Sequence, residues 1–408
     1  MVQNVSHEVV IVGGGSAGIA TASSMLKRQP GLDIAIIEPK TEHFYQPGWT
    51  MVGGGVFDAP VTRRRMADVM PKAVKWIMQS AATFQPEDNQ VTLEDGSTVT
   101  YKLLVVAPGI KLCWDKIPGL TETLGKNGVT SNYRYDLAPY TWELVNQTRS
   151  GRAIFTQPPM PIKCAGAPQK AMYLSCDAWR DAGVLDDIEV EFHNAGGVLF
   201  GVEAYVPALM EYVERYGIGL NLTSNLVAVD GPAKQAVFKT ADGDVTRDFE
   251  MMHVVPPQAA PDFIAESPLA SEAGWVDVDQ FNLQHTRYPN VIGLGDAGSM
   301  PNAKTAAAAR KQAPVAAVNG LDILAGREPS VVYDGYGSCP LTVERGKIVL
   351  AEFGYDGKLL PSFPKWIVDG TKARRFSWLL KSEALPWIYW NGMLKGHEWL
   401  AKPEKKQA

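Results

Sequence analysis

The hydrophobic positions near the amino terminus form two short unbroken runs with a helical stretch between them. Val9 to Val12 is a run of four consecutive β-branched residues, which is typical of a strand buried in a parallel sheet. Ile34 to Ile37 predicts a second buried strand, and Ile19 to Arg28 predicts the helix that joins them. The pattern therefore indicates a strand–helix–strand unit at the start of an α/β fold.

The turn between the first strand and the helix carries glycines in the spacing G-x-G-x-x-G. Gly13 permits a tight turn, Gly15 lets a pyrophosphate approach the backbone, and Gly18 lets the helix pack against the strand. Ser16 and Ala17 lie where the helix starts, so the free N–H groups there face the phosphates. A glycine turn in an ordinary α/β domain is the alternative, but the flanking strand and helix favour a dinucleotide-binding turn.

An acidic residue follows the second strand at the distance expected for ribose binding. Glu38 comes twenty residues after Gly18, and a carboxylate there accepts hydrogen bonds from a ribose 2′-hydroxyl and disfavours a 2′-phosphate. Pro39 and the aromatic, glycine-rich segment 40–55, which contains Gln46, come next. Loops in this position reach over the carboxyl edge of the sheet, so we expect Pro39 and Gln46 to line the cofactor site. The alternative is a surface loop with its own aromatic cluster.

Further strands of the same domain are predicted from residue 90 onwards. Residues 90–101 alternate in polarity around an Asp-Gly turn, which predicts a β-hairpin. The apolar strand that follows ends in Ala107, Pro108 and Gly109. In flavoproteins with two dinucleotide domains, a similar strand ending in Ala-Thr-Gly brings the chain back to the cofactor. We therefore expect these three residues at the cofactor, with the proline as a departure from that pattern.

A second cofactor motif lies much later in the chain. An apolar stretch that starts at Tyr288 ends in Gly295 and Asp296. In FAD proteins of the glutathione-reductase type, such an aspartate accepts hydrogen bonds from the ribityl chain. Lys304 and Thr305 precede an alanine-rich helix, whose positive N-terminal end would stabilise the anionic reduced flavin. This motif favours FAD over NAD as the cofactor.

A second α/β segment starts with the strand Arg152 to Thr156. A flavoprotein that oxidises NADH needs a second glycine fingerprint after this strand, and the sequence has none there. A proline-rich loop follows instead and ends at Cys164, just before a helix with a proline in its first turn. The helix N-terminus and the neighbouring Lys163 both favour a thiolate. A buried structural cysteine is the alternative, but this setting favours a reactive one.

The other three cysteines differ in context. Cys339 lies in the segment 333–340, whose glycines and proline predict a turn, so we expect its thiol on a loop. A loop thiol without a function is the alternative. Cys176 falls within a predicted helix and is expected in the core, and Cys113 is assigned no role. The cysteines form no CxxC pair and no metal-type spacing with the six histidines, so no metal is expected.

Composition and charge narrow the functional class. The chain has 408 residues, enough for two or three domains, and 46% of them are hydrophobic. A formal net charge of −5 gives no reason to expect nucleic-acid binding. The sequence has no run of about 18 apolar residues, so no membrane-spanning helix is expected. Residues 1–8 resemble neither a signal peptide nor a transit peptide, which favours a bacterial protein.

Residues 365–408, here called the tail, differ from the rest of the chain. They contain five of the eleven tryptophans, and nine Lys or Arg against four Asp or Glu. Their pattern predicts two short amphipathic helices broken at Pro386. Aromatic and basic residues on short helices suit a bilayer interface, so we expect the tail to lie on one leaflet. Docking on the protein's own body or on a second subunit is the alternative.

Several stretches together resemble the sulfide:quinone oxidoreductase family, in its mitochondrial-like branch. These stretches are residues 44–55, 161–175, 274–279, 284–308 and 333–341. The resemblance covers nearly the whole chain. It implies an α/β fold with two tandem Rossmann-like domains of the glutathione-reductase type, bound FAD and a membrane-associating carboxyl-terminal region. The implied parts are an FAD-binding domain in two segments (1–150 and 271–325), a second Rossmann-like domain with Cys164 (151–270), and a last part with Cys339 and the membrane-associating region (326–408).

The resemblance also implies a mechanism. Two redox cysteines map onto Cys164 and Cys339, bridged directly or through an extra sulfur. Hydrogen sulfide attacks this bridge and stays on Cys339 as a persulfide, while the sulfur of Cys164 faces the flavin and donates two electrons to it. Ubiquinone or another membrane quinone takes these electrons, and sulfite, glutathione, coenzyme A or cyanide removes the sulfane sulfur. Other branches use a third cysteine, which residues 130–132 lack, and this departure puts long polysulfide chains in doubt.

Three other functions stay open at this point. A type II NADH dehydrogenase also pairs FAD with a membrane-docking tail, but it needs a nucleotide site where the proline-rich loop lies. The flavin subunit of a sulfide-oxidising flavocytochrome needs an export signal and a cytochrome partner. A non-catalytic flavin-binding redox sensor or assembly factor does not need two cysteines in such loops. The expected location is the bacterial inner membrane, bound at one surface, and a homo-oligomer is left open.

Overall fold

The protein is described from a computed structural model, which covers residues 4–406. The strands, in chain order, are β1 (Asn4–Val12), β2 (Ile34–Ile37), β3 (Glu42–Phe44), β4 (Arg63–Arg65), β5 (Lys75–Ile77), β6 (Ala81–Gln85), β7 (Gln90–Leu93), β8 (Thr98–Val106), β9 (Lys111–Leu112), β10 (Val129–Thr130), β11 (Gly151–Gln157), β12 (Ile188–Asn194), β13 (Gly219–Leu222), β14 (Asn225–Asp230), β15 (Gln235–Thr240), β16 (Gly243–Asp248), β17 (Met251–His253), β18 (Gln258–Ala259), β19 (Val291–Gly293), β20 (Val331–Val332), β21 (Gly337–Glu344), β22 (Lys347–Phe353) and β23 (Glu404–Lys405).

The α-helices are α1 (Ser16–Arg28), α2 (Trp49–Gly53), α3 (Met66–Val69), α4 (Leu120–Thr123), α5 (Ala138–Gln147), α6 (Ala167–Asp181), α7 (Val206–Arg215), α8 (Asp262–Ala265), α9 (Ala306–Leu324), α10 (Arg375–Leu379) and α11 (Leu385–Asn391). The predicted unit of strand, helix and strand at the amino terminus is confirmed as β1, α1 and β2.

The first sheet has seven strands in the order β5-β2-β1-β8-β7-β6, and β19 pairs with β8 as well. Strand β1 lies between β2 and β8 and is parallel to both, and its apolar end is fully buried. The predicted hairpin is confirmed as β7 and the first half of β8. The apolar strand predicted after it is the second half of the same strand β8, and it pairs with β19. Helices α1 and α9 pack against each other beside this sheet. The late return of the chain through β19 therefore brings Gly295 and Asp296 to the sheet that carries the glycine turn.

The second sheet has five parallel strands in the order β10-β17-β11-β12-β13. Its core includes side chains of α6 and α7 and of the hairpin β21–β22. Strand β10 belongs to this sheet although it lies within residues 1–150. The chain thus forms an α/β fold of Rossmann type around two separate sheets. The first is parallel except for β6 and β7, which pair antiparallel, and the second is entirely parallel.

Two predictions about loops are wrong. The segment 40–55 contains β3 and α2 rather than loop alone. Cys339 lies in β21, paired with Ala351 of β22, rather than on a turn. The physical reason is that two apolar runs flank a tight turn at Gly346, and their pairing buries Cys339. Pro340 is tolerated because this sheet has only two strands, so one edge of β21 needs no ladder hydrogen bonds.

The tail contains one helical run instead of two helices broken at Pro386. Helix α10 continues through a π-helical turn, Leu380–Ala384, into α11. Pro386 lies in the first turn of α11, where the missing N–H group is tolerated. Within the described residues, none of the helices combines the length and the apolar character that crossing a membrane requires.

Candidate functional site

The glycine turn between β1 and α1 is shaped to receive a phosphate group. Gly13 has φ +107°, and a Cβ there would lie 2.4 Å from the carbonyl oxygen of Ala107. A Cβ on Gly18 would lie 1.9 Å from the carbonyl oxygen of Gly13, so neither glycine can be replaced without a shift. A Cβ on Gly15, by contrast, would meet no heavy atom of the described residues within 4 Å. Gly15 caps α1, so the open space in front of it faces the unpaired N–H groups of Ser16 and Ala17.

Glu38 holds this turn from the end of β2. Its carboxylate accepts hydrogen bonds from the N–H groups of Gly14, at 2.9 Å, and Lys40, at 2.8 Å. Pro39 beside it is exposed. The carboxylate therefore lies beside the glycine turn, within reach of a ribose bound next to the phosphates.

The end of β8 forms the opposite wall of the turn. A Cβ on Gly13 would strike backbone atoms of Ala107 and Pro108, so both residues lie directly against the turn. Gly109 follows with φ +84° and has open space around its Cβ position. The three residues predicted from the apolar strand are therefore brought to the glycine turn.

The second cofactor motif, Gly295 and Asp296, lies in the segment between β19 and α9. Gly295 has φ +71°, and its Cβ position lies 3.2 Å from the Cβ of Ala17, so this turn touches the start of α1. The Nζ of Lys304 donates to the carbonyl oxygens of Asp296 and Gly298, at 2.8 and 2.9 Å. Burial raises the pKa of the Asp296 carboxyl and lowers the pKa of Lys304 to about 8.

Thr305 caps α9, and its hydroxyl accepts a hydrogen bond from the N–H of Ala308 at 3.1 Å. The positive end of this helix therefore lies one residue from Lys304. The backbone N–H of Cys164 donates to the carbonyl oxygen of Lys304 at 2.8 Å, which joins the cysteine loop to the second cofactor motif. An open phosphate cradle, a ribose carboxylate, a half-buried Asp296 and a helix N-terminus together fit FAD.

The two predicted redox cysteines are in contact. Their Sγ atoms lie 3.5 Å apart, with Cys164 on the loop before α6 and Cys339 on β21. Cys164 has φ +51°, a left-handed conformation that is uncommon for a residue other than glycine. A Cβ on Gly166 would lie 2.4 Å from the Sγ of Cys339, so glycine at that position makes room for the approach of the second thiol.

A lysine that sequence reasoning missed contacts both thiols. The Nζ of Lys170 lies 3.1 Å from the Sγ of Cys164 and 3.7 Å from that of Cys339, and its side chain is buried. Lys163, which was expected to support the thiolate, directs its Nζ to the Oε1 of Gln46 at 2.5 Å. The available clue was the place of Lys170 in the first turn of α6, where the helix dipole disfavours a cation.

The two thiols differ in acidity. The pKa of Cys164 is held well below its usual range by the hydrogen bond from Cys339, and the ammonium groups of Lys170 and Lys381 act in the same direction. The hydrogen bond to Cys164, together with burial, raises the pKa of the Cys339 thiol. Cys164 is therefore the thiolate of the pair and Cys339 the thiol, so Cys164 is the better leaving group in thiol–disulfide exchange.

Lys381 was also missed, because a lysine on a tail helix is expected to face solvent. It lies in the π-helical turn, its side chain is 3% exposed, and its Nζ lies 3.5 Å from the carbonyl oxygen of Pro47. Burial, together with the neighbouring charge of Lys170, lowers the pKa of Lys381 to about 7. No signal in the sequence points to this residue, because its partners come from distant segments.

The remaining cysteines lie outside the pair. Cys113 and Cys176 are buried, and burial raises the pKa of each thiol. Residues 130–132 are also buried, and none of them is a cysteine. Among residues 4–406, no group of three or more His, Cys, Asp or Glu side chains is placed to hold a metal ion.

Comparison with known proteins gives consistent matches. The family model for pyridine nucleotide-disulphide oxidoreductases matches residues 7–141. The chain is 42% identical to the mitochondrial sulfide:quinone oxidoreductase of Dictyostelium discoideum, over 97% of this chain and 87% of the relative. It is 39% identical to the Mus musculus protein of the same name, over 96% of this chain and 87% of the relative. The X-ray structure of the sulfide:quinone oxidoreductase from Aquifex aeolicus covers 100% of this chain and 98% of its own, with a TM-score of 0.80 at 18% identity, which shows similarity of fold.

Proposed function

Because this chain belongs to the sulfide:quinone oxidoreductase family, we propose that the contact between Cys164 and Cys339 is the place where it oxidises sulfide. The protein is an FAD-dependent enzyme that takes electrons from sulfide and passes them to a quinone. The single observation that carries the assignment of the site is the pair of sulfurs 3.5 Å apart beside the buried ammonium of Lys170.

The residues proposed to hold FAD come from four segments that meet at one edge of the first sheet. The glycine turn and Glu38 would bind the diphosphate and the ribose. Asp296, Lys304 and Thr305 would hold the flavin end, with Ala107 to Gly109 and Gln46 beside it. The fit is supported by the open space before Gly15 and by the position of the half-buried Asp296, whose turn touches the start of α1. Bound FAD supplies a two-electron acceptor that quinone can reoxidise.

The sulfur chemistry proposed for the pair balances in atoms and electrons. Hydrosulfide attacks the Cys339 sulfur of the disulfide, forming a persulfide on Cys339 and releasing the Cys164 thiolate. The ammonium of Lys170, 3.1 Å from the sulfur of Cys164, stabilises that leaving thiolate because it lowers the pKa of Cys164. A nucleophilic acceptor then takes the outer sulfur and leaves the Cys339 thiol. Rejoining the Cys164 thiolate and the Cys339 thiol as a disulfide releases one proton and two electrons, and the electrons would pass to bound FAD.

The acceptors proposed are sulfite, glutathione, coenzyme A and cyanide, each of which has a nucleophilic atom that can take a sulfane sulfur. We also propose the division into an FAD-binding domain (1–150 and 271–325), a second Rossmann-like domain (151–270) and a last part (326–408). The pairing of β19 with β8 supports the two-segment FAD domain. Strand β10 belongs to the second sheet, which argues that the boundary between the first two parts lies before residue 129 rather than at residue 150.

The enzyme acts at a membrane, and we propose that the tail is the surface that binds it. Seven large apolar side chains in the described part of the tail are exposed, among them Trp366, which is 85% exposed, Leu379 at 59% and Trp387 at 56%. Such side chains are stabilised at a bilayer interface. Quinone would then reach the flavin from the side of the tail. The bacterial inner membrane expected from the sequence finds no support in the relatives, which are named mitochondrial proteins, so the proposal extends to a membrane surface only.

The test is a reaction of the purified protein with sulfide and a short-chain quinone. Sulfide should bleach the flavin absorbance under anaerobic conditions, quinone should restore it, and steady turnover should require one of the four acceptors. Bleaching by NADH and not by sulfide would instead favour the type II NADH dehydrogenase. A flavin that neither donor reduces would favour a redox sensor without catalytic activity.

A further inference from the structure

The tail lies along the whole length of α1, the helix whose N-terminus forms the phosphate cradle. At the far end of α1, the Glu398 carboxylate pairs with the guanidinium of Arg28 at 2.5 and 2.9 Å and accepts from the hydroxyl of Ser24 at 2.7 Å. In the middle, the Ser23 hydroxyl donates to the carbonyl oxygen of Leu394 at 2.7 Å. The tail is thus attached to α1 at several points and not merely adjacent to it.

At the cradle end, the attachment is a single buried tyrosine. The Tyr389 hydroxyl lies 2.7 Å from the Oγ of Ser16 and 2.7 Å from the Nε2 of His43. The side chain is 4% exposed, and its ring packs on that of Tyr45 with centroids 4.8 Å apart. One hydroxyl of the tail therefore joins the first residue of α1 to β3.

His43 extends this connection into the glycine turn. Its ring is buried, and burial lowers its pKa to about 4, so it is neutral at physiological pH. Its ring also interacts with the backbone of Gly14, and the N–H of Gly14 donates to the carboxylate of Glu38. Removal of Tyr389 would leave the buried ring nitrogen of His43 without this partner and free the Ser16 hydroxyl to turn.

We propose that Tyr389 is a positioning residue for FAD and that docking of the tail and binding of FAD stabilise each other. Tyr389 fixes Ser16 and, through His43, Gly14, and both residues belong to the turn that would hold the FAD diphosphate. Coupling between two binding events is reciprocal, so FAD strengthens tail docking by the same factor by which the docked tail strengthens FAD binding. The inference depends on FAD as the cofactor and is independent of the sulfide chemistry.

The test compares full-length holoenzymes carrying Tyr389→Phe, Glu398→Gln or the control Tyr173→Phe. Tyr173 is also buried, and its hydroxyl donates to the Leu209 carbonyl in the second sheet region. FAD release after dilution is followed as a rise in flavin fluorescence. Tail release is followed by trypsin cleavage after Lys381, a bond that is protected while the tail is docked.

Tyr389→Phe should release FAD about tenfold faster, since two hydrogen bonds of ordinary net strength are lost. Glu398→Gln, which leaves the glycine turn intact, should show a smaller increase in FAD release. Both variants should be cleaved faster after Lys381, and excess FAD should restore protection. The rise in thermal midpoint produced by excess FAD should shrink in Tyr389→Phe and stay unchanged in Tyr173→Phe.

Unchanged FAD release in Tyr389→Phe would overturn the positioning role. Faster tail cleavage that excess FAD does not slow would overturn the coupling. An equal fall of the thermal midpoint with and without excess FAD would show that Tyr389 is only a packing residue. None of these readouts uses sulfide, so failure of the inference is distinguishable from failure of the proposed function.

Discussion

The sulfur atoms of Cys164 and Cys339 lie 3.5 Å apart although the two residues are separated by 175 positions in the sequence. One S–S bond is about 2.05 Å long, and two that meet at the usual angle of roughly 105° place their outer sulfurs about 3.3 Å apart. The observed separation of 3.5 Å is therefore close to the span of a bridge with one additional sulfur. A direct disulfide requires the two sulfurs to approach each other by about 1.5 Å.

Replacement of either cysteine of the pair should abolish bleaching of the flavin by sulfide. Cys164→Ser and Cys339→Ser each remove one sulfur of the exchange reaction, so neither variant can form the persulfide and release a thiolate. Cys113→Ser and Cys176→Ser serve as controls, because these buried thiols lie outside the pair. The measurement is anaerobic stopped-flow absorbance of the flavin. Rapid bleaching in Cys164→Ser or Cys339→Ser would contradict the assignment.

Lys170→Met should raise the pKa of Cys164, because the ammonium 3.1 Å from its sulfur stabilises the thiolate. A rise of one pKa unit corresponds to about 1.4 kcal/mol, so sulfide-dependent bleaching near neutral pH should slow by about tenfold or more. Alkylation of the reduced enzyme by iodoacetamide, followed against pH, reports the thiolate directly. Lys170→Arg keeps the charge and should retain a low pKa. An identical alkylation profile in Lys170→Met would show that the lysine does not control the thiolate.

Lys381 should make the stability of the protein depend on pH. Its pKa is lowered from 10.5 to about 7 in the folded state, so between these values the unfolded chain binds more protons than the folded one. The free energy of unfolding should therefore rise with pH across this window. Lys381→Met should raise stability at pH 7 and reduce that rise, whereas the exposed Lys395→Met should not. Urea unfolding of the full chain at pH 7 and at pH 9.5 tests this expectation, and equal slopes in Lys381→Met and the unchanged protein would refute it.

The exposed apolar side chains of the tail should drive binding to vesicles. Leu379→Ser combined with Trp387→Ser removes two large groups that are 59% and 56% exposed, and leaves Lys381 and Tyr389 in place. Burial of each such side chain contributes about 1.5–3 kcal/mol, so binding to lipid vesicles should weaken by at least about tenfold. Val198→Ser, at an equally exposed position outside the tail, is the matched control. Cosedimentation with vesicles measures the effect, and an unchanged bound fraction would mean that these side chains serve another contact.

NADH should not bleach the flavin at micromolar concentration. The strand β11 is followed by the proline-rich loop to Cys164 and not by a second glycine fingerprint, so the second sheet lacks the cradle that NADH phosphates need. The FAD itself should be released by denaturation, since the glycine turn and Glu38 would hold it through hydrogen bonds. The measurements are absorbance after NADH addition and the flavin content of the denatured supernatant. A flavin that stays on the polypeptide, or rapid bleaching by NADH, would contradict this prediction.

The sequence by itself determined the features whose residues are neighbours along the chain. The glycine turn, β1, α1 and Glu38 follow from contiguous spacing, because turn geometry and strand burial depend on local residue types. The Gly295–Asp296 motif could also be predicted, because it directly follows an apolar strand in the sequence. The resemblance to the family identified both Cys164 and Cys339, but local pattern placed Cys339 on a loop. It lies in a strand because the apolar runs on either side of Gly346 pair with each other.

Only the tertiary structure decided which groups surround these residues. Lys170 reaches the thiols because α6 packs against β21. The charge of Lys381 acts on Cys164 because the tail packs against β22 and α1. Tyr389 meets Ser16 across 373 positions and His43 across 346 positions. Contacts of this kind depend on how whole elements pack, and no periodicity along the chain records them. The sequence therefore specified the cofactor motif, whereas the charges that control the thiols and the attachment of the tail came from packing.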